Sequence, residues 1–131
     1  MKKDNPNDNG ITNKKTKTLT PEEARKRFLA TLGLARRAGK VACGTQNVCD
    51  ALKCRKVSLV IEAEGNSENT HKRLSDRCAY YEIELVKVCV TADELGAAMG
   101  RGGAISAVAV TDPSLAEAVR RSLPKTSEPD L

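Results

Sequence analysis

Tryptophan is absent from this chain, and its aromatic residues are only Phe28, Tyr80 and Tyr81. That scarcity argues against a single-strand binder, which needs aromatic platforms on which bases stack. It also leaves the core to Leu, Val, Ile and Ala, within a hydrophobic share of 40%. Long apolar runs are missing too. No stretch approaches the roughly 18 residues of a membrane span, so no membrane association is expected. The five cysteines (Cys43, Cys49, Cys54, Cys78 and Cys89) contain no C-x-x-C pair, and no apolar signal segment precedes them. They read as reduced thiols of a cytoplasmic protein. Cys43 and Cys89 lie in strand-like runs and Cys49 and Cys54 in a helix, as small buried hydrophobes rather than metal ligands or redox centres. No metal and no cofactor is expected.

Charge is present, and unevenly. Residues 1–20 carry five Lys against two Asp, and residues 21–56 carry nine cations against three acids. Residues 57–131 reverse the balance, with eight cations against twelve acids. A basic first half suits a polyanionic partner, although a solvated surface would also account for it.

At 131 residues the chain is long enough for one domain. Residues 1–19 are Lys, Asn, Asp and Thr with little to bury, which predicts a disordered basic tail. The domain is expected over residues 20–123, followed by a flexible tail over 124–131. Thr20-Pro21-Glu22-Glu23 is a capping box with Pro at the first helical position, opening a helix with Phe28, Leu32 and Ala35 at helical spacing. Gly39 ends it. Val41-Ala42-Cys43 is a short strand, Gly44 a turn, and a second helix starts near Thr45 with Val48, Ala51 and Leu52 inward. Val57 to Ala63 reads as a central strand. Ser67 caps a third helix, with Leu74, Cys78 and Tyr81 inward. Ile83 to Val90 is a strand, and Thr91 to Glu94 a second capping box on a short helix ending at Gly96–Gly100. Ile105 to Thr111 is the last strand, and Asp112-Pro113 opens a final helix. This alternation predicts an α/β fold, a three-layer α/β/α sandwich around a small mixed four-stranded sheet.

The informative stretch is Leu32 to Asn47, LGLARRAGKVACGTQN. Arg36 and Arg37 suit the negative end of the first helix, a purely structural reason that does not extend to Lys40. The N-terminus of the second helix attracts phosphate or base acceptors through its unpaired N–H groups. Gln46 and Asn47 there have donors and acceptors that match base edges. Lys40 before them and Lys53 after them would hold an RNA backbone. In the structural alternative, Thr45 or Asn47 simply caps the helix and Gln46 faces solvent.

With LVIEAEGNSENTHKRL and AVAVTD, this stretch closely resembles the bacterial YlxQ-like branch of the L-seven-Ae / L-thirty-e ribosomal protein family, over about Phe28 to Leu123. The resemblance implies an α/β/α sandwich that binds RNA, chiefly kink-turns, through a helix N-terminus and a neighbouring loop. Onto the family motif G-x-N-E-x-x-K, Gly44 matches the glycine, while Gln46 and Asn47 stand at the Asn and Glu positions. Asp50 stands where the family has Lys, placing repulsion where a cation is expected; Lys53 is the nearest substitute. The second contact loop of the family matches Arg101, Gly102, Gly103, Ala104, Ile105 and Ser106.

Other readings are weaker. Gly100-Arg-Gly-Gly follows a helix and precedes a strand, the reverse of a dinucleotide fingerprint. His71, the one histidine, reads as solvated. Glu62/Glu64 and Glu82/Glu84 share strand faces without an acid–base partner and read as sheet-end solubility. The expectation is a non-enzymatic, monomeric RNA-binding protein associated with the ribosome. A protein-interaction domain on the same scaffold is the alternative, and an RNA-docking module for a modifying enzyme a weaker one.

Overall fold

The computed structural model describes residues 20–100 and 102–123; the two expected tails and Arg101 lie outside them. Five helices alternate with four strands: α1 (Pro21–Arg37), β1 (Val41–Cys43), α2 (Thr45–Lys53), β2 (Leu59–Glu64), α3 (Glu68–Tyr81), β3 (Leu85–Thr91), α4 (Ala92–Ala98), β4 (Ala107–Val110) and α5 (Pro113–Arg121). The strands form one sheet in the order β1-β4-β2-β3. β4 is antiparallel to β1 and to β2, and β2 is parallel to β3. Strands β1, β2 and β3 therefore all point the same way.

The period of two along β2 and β4 sorts the core into two halves. Leu59, Ile61 and Ala63 pack with Phe28 and Leu32 of α1, Leu95 and Met99 at α4, and Ala116 and Val119 of α5. Val60, Ala107 and Ala109 face the other way, against Val48 and Leu52 of α2 and Leu74 and Cys78 of α3. The result is the three-layer sandwich with a mixed sheet. Both expected capping boxes form, at Thr20 with Glu23 and at Thr91 with Glu94. Ser67 and Asp112 also cap their helices.

Where the structure departs from the sequence reading, the causes are local. The strand expected from Val57 begins at Leu59, and the one expected from Ile105 begins at Ala107. Ile105 instead bonds the start of α4, its N–H donating to the Ala92 carbonyl at 3.0 Å. α4 does end within the expected Gly96–Gly100, at Ala98, and Gly96 lies inside its last turn, where a Cβ would land on the Gly103 carbonyl oxygen. Two cysteines are not buried: Cys54 is the C-cap of α2, and Cys89 sits on an outward position of edge strand β3 between buried Val88 and Val90. Cys43, Cys49 and Cys78 are buried as expected. Burial, with smaller contributions from Cys49 and Glu62, pushes the Cys78 thiol up to about 11. It stays protonated at neutral pH and packs as a small hydrophobe.

Candidate nucleic-acid interface

Because β1, β2 and β3 are parallel, α2, α3 and α4 all begin at one end of the sheet. Residues 102–106 enter β4 from that same end, since β4 runs the other way. The tip of α2 and the loop are tied together there. The Gly44 N–H donates to the Ala107 carbonyl at 2.9 Å, and the Ala63 N–H to the Ser106 carbonyl at 2.9 Å.

Gly44 is the N-cap of α2, at φ 96° and ψ 149°. That region is open to glycine and strained for residues with a Cβ. A glycine cap supplies no side chain, and neither Thr45 nor Asn47 takes its place: α2 has no side-chain cap bond. Helices α1, α3, α4 and α5 are each closed by the side chain of Thr20, Ser67, Thr91 or Asp112. The α2 tip thus keeps donors and a partial positive charge for an incoming acceptor. Its first turn lacks the acidic residues found at α1, α3 and α4.

Both amides of the tip are exposed, and each has a defined partner. Asn47 Nδ2 donates to the Cys43 carbonyl at 2.9 Å, which closes the end of β1 and leaves Oδ1 as an acceptor. Gln46 Nε2 donates to Asp50 Oδ1 at 3.0 Å, while Gln46 Oε1 accepts from an Arg73 guanidinium N–H at 2.9 Å. Asp50 is therefore engaged by an amide, and a cation from α3 stands one hydrogen bond away.

The structure sorts the other expected contacts. Arg36 and Asn47 line one recess of about 390 Å³ along β1, floored by Val41, Ala42 and Cys43. Lys40 is exposed at the start of β1. Lys53 closes the opposite end of α2, roughly 12 Å along the axis from Thr45 at 1.5 Å per residue. Arg37 lines a different groove, between α1 and α4. In the loop, Gly102, Gly103 and Ala104 are exposed, and a Cβ at either glycine would meet nothing within 4 Å. Ile105 turns its side chain into the core at 4% exposure, so it anchors the loop and offers RNA no side chain.

A profile of the ribosomal protein L7Ae/L30e/S12e/Gadd45 family matches residues 26–120. The chain belongs to this family. The protein named RNA-binding protein YlxQ from Bacillus subtilis (strain 168) is 39% identical over 85 residues, 65% of this chain and 83% of the relative. Its namesake from Enterococcus faecium is 36% identical over 62 residues, 47% of this chain and 60% of the relative. The family member described here falls in the YlxQ-like branch. Among solved structures, a protein with unknown function from Bacillus halodurans C has a TM-score of 0.69 and 28% identity, covering 76% of this chain and 98% of that one. The Giardia lamblia 15.5kD RNA binding protein shares the fold at a TM-score of 0.63 and 16% identity, covering 76% and 84%.

This family member carries two arrangements near the tip that its sequence did not disclose. One is Arg73, brought to Gln46 across 27 positions of sequence, beyond the reach of any local pattern. The other corrects the reading of Glu62 as a solubilising residue and gives His71, exposed as expected, a buried partner. Glu62 is fully buried, and its Oε1 lies 2.8 Å from His71 Nδ1. Its Oε2 accepts from Asn66 Nδ2 at 3.2 Å, and the same amide reaches the Ser106 carbonyl at 3.1 Å. A signal was available: His71, Leu74 and Cys78 fall three and four apart, the spacing of one inward helix stripe. Among the described residues, no three His, Cys, Asp or Glu side chains gather as metal ligands. No helix among those residues is long and apolar enough to cross a membrane.

Proposed function

We propose that this chain is a non-enzymatic, monomeric RNA-binding protein of the cytoplasm, associated with the ribosome, that recognises a kink-turn-like RNA. The α2 tip meets the RNA at Gly44, Thr45 and Asn47, with Asn47 Oδ1 accepting from a base edge. Gln46 has a changed role. Held at both ends, it positions the Arg73 guanidinium, whose remaining donors suit phosphate or guanine. Arg36 and Lys40 neutralise phosphates along the β1 recess, and Lys53 does so further along α2. Gly102 to Ser106, with Arg101 adjoining in sequence, flank the RNA by close backbone approach. The observation that carries the reading is the open, cation-flanked tip of α2 beside four helices closed by their own side chains. The relatives' name, RNA-binding protein YlxQ, supports the same ligand class.

The test compares a kink-turn RNA with the same stem after its tandem G·A pairs are converted to Watson–Crick pairs. Tighter binding of the kinked RNA by tenfold or more is expected, and equal affinity removes the shape-specific claim. One feature favours the second reading, a protein-interaction domain. The α1–α4 groove, about 720 Å³, is lined by Leu29, Ala30, Gly33, Leu34 and Ala98, with Leu34 58% exposed. Co-purification of a protein after nuclease treatment, without retained RNA, would support it.

A further inference from the structure

Glu62 is the one buried charged side chain of the described core, set in β2 between Ile61 and Ala63. Its parity with Val60 turns it toward the α2–α3 layer, at the strand end where the RNA site lies. A carboxylate at that depth is costly, and a branched apolar residue would fill the space without desolvation. What it does there is hold His71. A carboxylate only accepts, so the Nδ1 facing it at 2.8 Å carries the hydrogen. That bond fixes the ring's orientation and its tautomer, as carboxylates do for functional imidazoles elsewhere. Nδ1 is committed to a fully buried group while the His71 side chain is 46% exposed, which leaves Nε2 as the ring nitrogen for an outside partner. Asn66 joins the same carboxylate to the Ser106 carbonyl, so the ring stands at a set position relative to the contact loop.

We propose that His71 Nε2 is a ribose-reading contact, hydrogen-bonded to a 2′-hydroxyl of the bound RNA, with Glu62 as its positioning residue. This deepens the RNA-binding reading above and rests on it. The chemistry distinguishes Nε2 from its surroundings. Arg36, Lys40, Lys53 and Arg73 are donors only, suited to phosphate. A locked imidazole edge is a different kind of group. A hydroxyl both donates and accepts, so it pairs with Nε2 whether or not that nitrogen is protonated, whereas a phosphate oxygen pairs with only one of the two forms. The 2′-hydroxyl is also what separates RNA from DNA at a given site.

The experiment measures affinity of the full chain for a kink-turn RNA and for a set carrying one 2′-deoxy nucleotide each, using wild type and His71→Ala. Wild type is expected to lose about two- to tenfold at one deoxy position, the size of a single net hydrogen bond. His71→Ala is expected to lose a similar factor with the all-ribose RNA and to become indifferent to that deoxy position, so that the two changes do not add. A deoxy penalty of the same size in both proteins, or none at any position, overturns the proposal. Failure of wild type to bind any kink-turn RNA overturns the RNA-binding reading instead, and the inference with it. Glu62→Gln supplies the positioning readout: ring-nitrogen NMR of His71 should lose the fixed Nδ1–H tautomer, together with the ribose preference. If that variant does not fold, half-exposed His71→Ala still decides the question.

Discussion

Two helices that start at the same end of the sheet have opposite tips. α4 opens with Thr91 and Glu94, whose side chains bond each other's backbone and close the first turn. α2 opens with a glycine at positive φ, no side-chain cap and no acid in its first turn. A helix that stabilises its own tip has little left there for a ligand. One that leaves its donors unmet is less stable alone and complete only in company. The difference lies in a few residues, Thr-Ala-Asp-Glu against Gly-Thr-Gln-Asn.

That contrast can be broken by experiment. Closing the open tip should have the largest effect. Thr45→Asp puts a carboxylate in the first turn of α2, where the dipole favours it by about 0.3–1 kcal/mol. Thermal stability should hold or rise while RNA affinity falls by about tenfold or more in a gel shift at low salt. Retained affinity would mean the tip meets no anion. Opening the closed tip is the converse. Thr91→Ala should cost about 1 kcal/mol in urea unfolding and leave RNA affinity unchanged. A matching loss of affinity would dissolve the distinction between the two helices. Smallest is Lys40→Ala, which should lower the slope of log affinity against log salt by about one while scarcely moving the urea midpoint. An unchanged slope would mean Lys40 neutralises no phosphate, and the cationic flank would shrink to Arg36 and Arg73.

Most of the scaffold was legible because its signals are local. Thr20 with Glu23, Thr91 with Glu94, Ser67 and Asp112 are caps written within four residues, and the inward positions of α1 follow from spacing alone. The open tip was half legible: Gly44-Thr-Gln-Asn marks a helix start, but nothing in the string says whether Thr45 or Asn47 will cap it. Asn47 does not, because its amide turns back to the Cys43 carbonyl. Arg73 on Gln46 was illegible, since two helices that follow different strands meet only after the sheet assembles. Glu62 misled for a related reason. An acid near a strand end is ordinarily wet, and its burial depends on α3 lying across it. Cys89 was misplaced because apolar composition overrode period: Val88 and Val90 take the inward face, and the residue between them cannot.

The contact between Gly96 and Gly103 has a mechanical side. α4 sinks Leu95 into the layer remote from α2, and its C-cap Met99 is buried beside it, while Gly96 presses bare backbone against the loop. With no side chain as cushion, the height of the loop above the sheet is dictated from behind, by how deeply those two residues seat. If the loop flanks RNA as proposed, its position there is set from the dry side of the molecule, through Leu95 and Met99.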